Sequence, residues 1–380
     1  MSSTALWRLV ILAGGVVLAA LAGPRTVATV VLFIVVLGGI ILVHELGHFF
    51  AARLAGVRVL EFGVGFPPRA RVLGVRGETT WTLNWLPIGG FVKMDGEDGD
   101  VADGRSFSAK PLWVRLAILL AGVVLNVVLA AAIFVAIAWL ATPRIGVEVA
   151  SVQPASPAQQ AGLVAGDQIT GLDGQTFDVY DPDLLGALSD HAGQTVSLSV
   201  RHADGTTTSI SASLRSPAEA KAHGALGISA RGVVLDAYAS RPLDQAVTIG
   251  GRELVQWGGL VVSGLGNVIG GLVTNPSAPP QASGPIGIAA QISDVFFTTG
   301  WITTLYMAGV LSINLAVVNI LPFPPLDGGR MLVLVIKRVF GRRVSLRAEQ
   351  LTYLVGFVFI IGFVLWITGF DIARQLGGGQ

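Results

Sequence analysis

Four stretches of this sequence run without a charged residue for about the length that crosses a bilayer. They are Thr26–Val43, Leu116–Pro143, Val295–Leu326 and Gln350–Phe370. A spanning helix needs about 20 apolar residues, and lipid offers no partners for unpaired backbone groups. The chain is therefore expected to be an α-helical polytopic membrane protein with four core transmembrane helices. Only 13% of its 380 residues are charged, about half the usual share for a soluble domain. Net charge is +1, which supplies no basic field for nucleic acid. Cysteine is absent, so disulfides, thiolate metal sites and a cysteine nucleophile are excluded.

A fifth apolar run, Leu9–Pro24, is shorter. Arg8 precedes it and Ala20–Ala22 could serve as a cleavage site, so residues 1–24 read as a signal-like segment or an extra N-terminal helix, the helix being favoured. Either way Arg25 lies outside and the next span runs inward. Arg53, Arg58, Arg69, Arg71, Arg76, Lys93 and Lys110 follow it, and Lys337, Arg338, Arg342 and Arg343 precede the last span. The positive-inside rule makes both segments cytoplasmic. The first membrane half is then 26–143 and the second 295–370. Between them, Leu254–Val273 is uncharged but puts Leu254, Trp257, Val261, Leu265, Val268 and Leu272 on one helical face. That pattern predicts an interfacial amphipathic helix within 243–294.

Two segments read as β-structure. In 57–94, "RVLGVRGETTWTLNWLPIGGFV" alternates around a turn near Arg76–Glu78, which predicts a hairpin against the membrane with Trp81, Leu83 and Trp85 on one face. In 145–230, a short helix is expected at Pro157–Gly162, and "VSLSVRHADGTTTSISASL" reads as a hairpin turning at Asp204-Gly205. The run "SPAQQAGLVAGDQITGLDG" resembles a bacterial PDZ domain, on the outer side, which implies capture of an extended chain at a sheet edge. His191, His202 and His223 are expected to be surface residues there. "DGEDGDVADG" at Asp95–Gly104 misses the spacing of a calcium loop and reads as a solvated acidic loop.

The chemistry sits at the inner end of the first span. "HELGH" puts His44 and His48 four residues apart, on one helical face, with Glu45 beside them. This HExxH spacing is that of two zinc ligands and a general base for water. A catalytic zinc takes a third protein ligand and keeps one position open. Asp327 is the first acid after the uncharged Val295–Leu326, and Pro322, Pro324 and Pro325 break the helix before it. Broken backbone at membrane depth is tolerated where it lines a cavity. Capping of the helix that follows is the other reading of Asp327.

HExxH, then the PDZ-like run, then "NILPFPPLDG" resemble, in that order, the site-2 protease family of intramembrane zinc metalloproteases, most of all its bacterial regulator-of-sigma-E branch. "EFGVGFPP", "PIGGFVKMDGE" and "SGPIGI" fit it as well. The resemblance implies Zn2+ held by His44, His48 and Asp327, with Glu45 as the catalytic base. It implies that Asn126, Asn314 and Asn319 hold an unwound substrate or the oxyanion. Implied partners are membrane lipid and single-pass proteins already trimmed outside, such as anti-sigma factors or signal-peptide remnants. Implied too are a place in the plasma membrane and an active site toward the cytoplasm. The sequence departs in having one PDZ-like domain instead of two, and Gly122-Val123 where the family has Gly-Pro. Rival readings are a non-proteolytic scaffold and an aspartyl intramembrane protease; the latter needs two facing acids in spans, and only Asp327 is there.

Overall fold

The computed structural model describes residues 3–97, 103–180, 183–274, 282–340 and 346–377. Arg342, Arg343 and the middle of the acidic loop, 98–102, lie outside the described residues. The chain opens with helix α1 (Ser3–Leu54), strands β1 (Val59–Arg76) and β2 (Thr79–Met94), and helix α2 (Leu112–Leu140). A second group follows: β3 (Thr142–Val152), α3 (Pro157–Gln160), β4 (Gln168–Leu172), β5 (Gln175–Asp178), α4 (Leu184–Asp190), β6 (Thr195–Arg201), β7 (Thr207–Ser213), α5 (Pro217–His223) and β8 (Ile228–Ala239). The chain closes with α6 (Leu243–Thr274), α7 (Pro285–Asn319), α8 (Asp327–Phe340) and α9 (Leu346–Gly377). These form two compact units, Met1–Ile133 with Gly251–Gln380, and Phe134–Gly250.

Among the described residues of the chain, five helices are long and apolar enough to cross a membrane. Four match the expected spans, in α1, α2, α7 and α9, and the fifth is Leu243–Gly271 of α6. The first span is set off from the N-terminal helix by Gly23, whose φ of 79° breaks α1. A similar break at Gly300, φ 83°, divides α7. Only glycine adopts such angles freely. On α6, Leu254, Trp257, Val261, Leu265 and Val268 are half-buried, as the periodicity predicts. The amphipathic pattern is nevertheless incomplete, because Val255, Leu260, Val262 and Ile269 are exposed. Exposed apolar flanks of this kind mark a surface for lipid or another protein segment.

The direction of the spans is fixed by their contacts. Arg25 pairs with Asp294 at 3.3 Å and the Thr29 hydroxyl donates to Ser293 at 2.7 Å, while farther along α1 His44 meets Asp327, which follows the far end of α7, at 2.9 Å. So α1 and α7 run the same way. His48 meets the Ile118 carbonyl and His44 meets Asn126, so α2 runs opposite to α1. The α1–α2 crossing depends on glycine. A methyl group on Gly47 would collide with the Ala121 carbonyl, and no side chain fits there.

The "SGPIGI" run has a structural reason that spacing alone does not show. Its Gly284 and Gly287 amides donate to the Asp371 carboxylate of α9 at 3.3 and 2.8 Å, and Asp371 is 2% exposed. The carboxylate thus ties the start of α7 to the end of α9 and meets the positive end of a helix. Asp371→Ala strands two buried amides, and unmade buried bonds cost about 1–3 kcal/mol. The expected result is a lower melting temperature in detergent with zinc content unchanged; an unaltered melting curve would refute this role.

The predicted hairpin is larger than two strands. Strand β1 bends near Pro67 and β2 near Gly89, so Glu61–Val64 pairs on one side with Thr80–Leu83 and on the other with Gly90–Lys93. Arg69–Arg76 pairs with Thr79–Asn84. On the polar face of Thr79–Asn84, Thr82 and Asn84 are buried, at 0% and 4% exposed. Thr82 donates to Glu61 at 2.8 Å and Asn84 to the Gly65 carbonyl at 3.0 Å. Trp81 packs against Phe49 and Phe62 (centroids 5.3 and 4.7 Å), joining the sheet to α1. Leu83, on the same face, is 41% exposed.

The inserted unit is a six-stranded sheet in the order β7-β6-β4-β5-β3-β8. Its strands reach from Thr142 to Ala239, wider than the predicted 145–230. The expected helix and hairpin are present, with Val196, Leu198 and Val200 of β6 alternating into a core that includes Ile169, Leu172 and Leu184. Ser156 caps α3 by accepting from the Gln159 amide. His202 departs from the surface reading. Its Nδ1 meets Asp167, 1% exposed, at 2.8 Å, and its Nε2 meets Thr208 at 2.8 Å. Asp167 also accepts from the Val164 amide at 2.9 Å, so the Gly-Asp turn is tied to the hairpin.

Candidate active site

Three side chains from two helices converge near the C-terminal end of α1. His44 Nε2 lies 2.9 Å and His48 Nε2 3.3 Å from the same Asp327 oxygen, Oδ2. The two imidazole nitrogens lie 3.1 Å apart. Ligand atoms 2.0–2.1 Å from one tetrahedral zinc would be separated by roughly 3.3–3.4 Å, so the cluster already approximates one face of such a site. His44, His48 and Asp327 form, among the described residues, a group that could hold a metal ion. Both histidines are buried, at 5% and 6% exposed. His48 Nδ1 donates to the Ile118 carbonyl at 2.9 Å, which leaves its Nε2 lone pair for the cluster.

Glycines clear the space around these groups. A methyl on Gly122 would lie 2.5 Å from His48 Nε2 and 2.8 Å from His44 Cε1. Asp327 is brought to the cluster by the chain reversal after α7. The backbone of 320–326 curls under short-range bonds, Phe323 to Leu321 at 2.7 Å and Leu326 to Phe323 at 2.9 Å. Methyl groups on Gly328 or Gly329 would strike this loop, and one on Gly356 of α9 would strike Pro324. Asp327 does begin α8, yet its carboxylate is turned to the two histidines. Arg330, one turn on, pairs with Glu97. Burial opposes the charge of Arg330, but Glu97 and Asp327 outweigh it and raise its pKa.

A cavity of about 320 Å³ opens beside the cluster, lined by Glu45, Phe66, Gly90–Val92, Asn319 and Arg330 among others. A Cβ on Gly90 would lie 2.9 Å from the Gly63 carbonyl and 3.6 Å from Glu45, so the sheet meets α1 at that glycine. A second, larger space of about 500 Å³ lies between α6 and α7, lined by Val261, Gly264, Leu265, Leu311 and Asn314 among others. Leu311 of this groove and Leu315 of the cavity stand one helical turn apart on α7. Trp257 donates to the Tyr306 hydroxyl at 2.7 Å, and that hydroxyl donates to Glu253, fastening α6 to α7.

Of the three asparagines, Asn319 lines the cavity and Asn314 the groove. Asn126 is 0% exposed and faces His44 from behind. Residues 32–363 match the model of peptidase family M50. The chain belongs to peptidase family M50. Similar chains agree with that membership. A Clostridium perfringens chain named, by inference, a zinc metalloprotease is 32% identical over 334 residues, covering 88% of this chain and 95% of its own. The zinc metalloprotease RasP of Geobacillus kaustophilus and the regulator of sigma-W protease RasP of Bacillus subtilis are each 26% identical, covering 92% of this chain and 99% of theirs. The M50 peptidase was legible in His44, Glu45, His48 and Asp327; the roles of Gly122 and Gly356 were not, since their constraints come from other helices.

Proposed function

We propose that this M50 peptidase is a zinc metalloprotease that cuts peptide bonds within the membrane-spanning segments of single-pass proteins, with His44, His48 and Asp327 as its zinc ligands. When bound, zinc supplies a Lewis acid for the scissile carbonyl and a water of lowered pKa. Glu45, in the cavity, takes the proton of the attacking water and returns it to the leaving nitrogen. Asn319 donates toward the oxygen that gains charge, and Asn314 meets the substrate before it unwinds. Gly90–Lys93, with the rest of the sheet on one side only, offers an edge to which an unwound chain can pair.

The observation that carries this reading is that the groove and the cavity holding Glu45 are lined by successive turns of α7, at Leu311 and Leu315. A helix resting there would bring its chain to the metal without leaving an apolar surrounding. The groove can be filled without disturbing the fold. Gly264 lines it and has nothing within 4 Å of a Cβ; Gly258, also open, does not line it. Gly264→Trp should reduce cleavage of a transmembrane substrate at least about tenfold, the loss expected when a well-packed apolar contact is denied. Gly258→Trp should leave it unchanged, and both should keep their zinc. Equal cleavage by both variants would sink the groove reading.

The same directions of α1, α2 and α7 support a topology. Helix α2 leaves the bundle at the end remote from His44, and α7 starts at that end. The chain between them must then cross an even number of times, so α6 alone does not cross. With the positive-inside rule this supports a metal site toward the cytoplasm and an inserted sheet outside, as a PDZ-like module that screens or recruits substrates trimmed beforehand, such as anti-sigma factors. In this chain, which has no native cysteine, Gly104→Cys should be labelled only from the cytoplasm and Asp204→Cys only from outside. Labelling of both from one side would overturn the arrangement.

A further inference from the structure

The side-chain oxygen of Asn126 has no hydrogen-bond partner although the residue is 0% exposed. A buried amide oxygen left unpaired is costly. Its other end, Nδ2, lies 3.2 Å from His44 Nδ1. With His44 Nε2 turned to the ligand cluster, Nδ1 carries the hydrogen, so an amide NH2 there would set donor against donor. The two ends of the amide are interchangeable in shape. Turning it over gives Oδ1 the His44 N–H, so the oxygen is paired and the two donors no longer face each other, while Nδ2 takes the place where Oδ1 had no partner.

We infer that Asn126 is a positioning residue for His44: its Oδ1 accepts from Nδ1–H and holds the imidazole with its Nε2 lone pair toward the metal. Helix α2 then serves both histidines from one stripe. Ile118, Gly122 and Asn126 stand four residues apart, hence on one face. The Ile118 carbonyl receives His48, Gly122 leaves room for both rings, and Asn126 receives His44. The stripe is itself anchored, since the Ser312 hydroxyl of α7 donates to the Asn126 carbonyl at 2.9 Å. This inference rests on the reading of His44 and His48 as zinc ligands, and it moves Asn126 from the substrate to the metal.

The test is zinc affinity, measured by chelator competition on the full chain in detergent, for Asn126→Leu and Asn126→Asp. Loss of a partner that orients a metal-binding histidine costs about 10–100-fold in affinity. Asn126→Leu should show that loss, together with an altered visible spectrum of the cobalt-substituted protein. Asn126→Asp keeps an acceptor and should bind within about threefold of wild type, a small part of the expected loss. If Asn126→Leu binds zinc as tightly as wild type, the inference is overturned, whether or not cleavage falls. Should Asn126→Leu not fold, nitrogen chemical shifts of labelled histidine in zinc-loaded wild type decide: a protonated Nδ1 on His44 supports the inference, and a metal-bound Nδ1 overturns it. Failure of wild type to bind zinc would instead refute the metal site itself.

Discussion

Glu45→Gln is expected to abolish cleavage and leave zinc in place. The substitution keeps the size of the side chain and removes only its ability to take a proton. A positioned general base is worth about 10²–10⁴ in rate, so turnover of a model transmembrane peptide should fall by at least the lower figure. Zinc content should stay at the wild-type level, because the group that could hold a metal is His44, His48 and Asp327 and Glu45 is outside it. Metal analysis and cleavage measured on the same preparation separate the two effects. Near-normal cleavage by Glu45→Gln would show that another group carries the proton.

Gly122→Ala should have an effect as large through a different route. The added methyl would lie 2.5 Å from His48 Nε2, where no real side-chain carbon is found. Neither ring can retreat easily, since His48 is bonded to Ile118 and both histidines are buried. The ligands must therefore part or the α1–α2 crossing must widen. Zinc content and cleavage should fall together, although Gly122 has no side chain to offer a substrate. Gly264→Ala, which meets nothing within 4 Å, is the matched control and should retain its zinc. Full zinc occupancy in Gly122→Ala would mean that the helices are not so closely held.

How far the sequence could be read depended on whether the determining contacts were local. His44, Glu45 and His48 lie within two turns of one helix, so periodicity alone places them together. Asp327 was legible because three prolines and a long uncharged run isolate it. The β-unit was legible from alternation, though its sheet extends beyond 145–230 at both ends. Hidden were the groups that act across helices: the Ile118 carbonyl has no side-chain signature, and Gly122 and Gly356 look like any glycine in an apolar span. In the sheet beside α1, alternation marks two faces but does not say which is covered. His202 was read as exposed for want of any local sign of Asp167.

The chain leaves the bundle after α2 and returns with α7 at the same end, far from His44 and Asp327. The inserted strands between those two helices, β3 to β8, are thus a detour with respect to His44 and Asp327. Its length and content can change without shifting any ligand or reversing any later span, provided the detour comes back to the side it left. Selection can act on the choice of protein to be cut by editing that interval, while His44, His48 and Asp327 stay on elements that the editing does not touch.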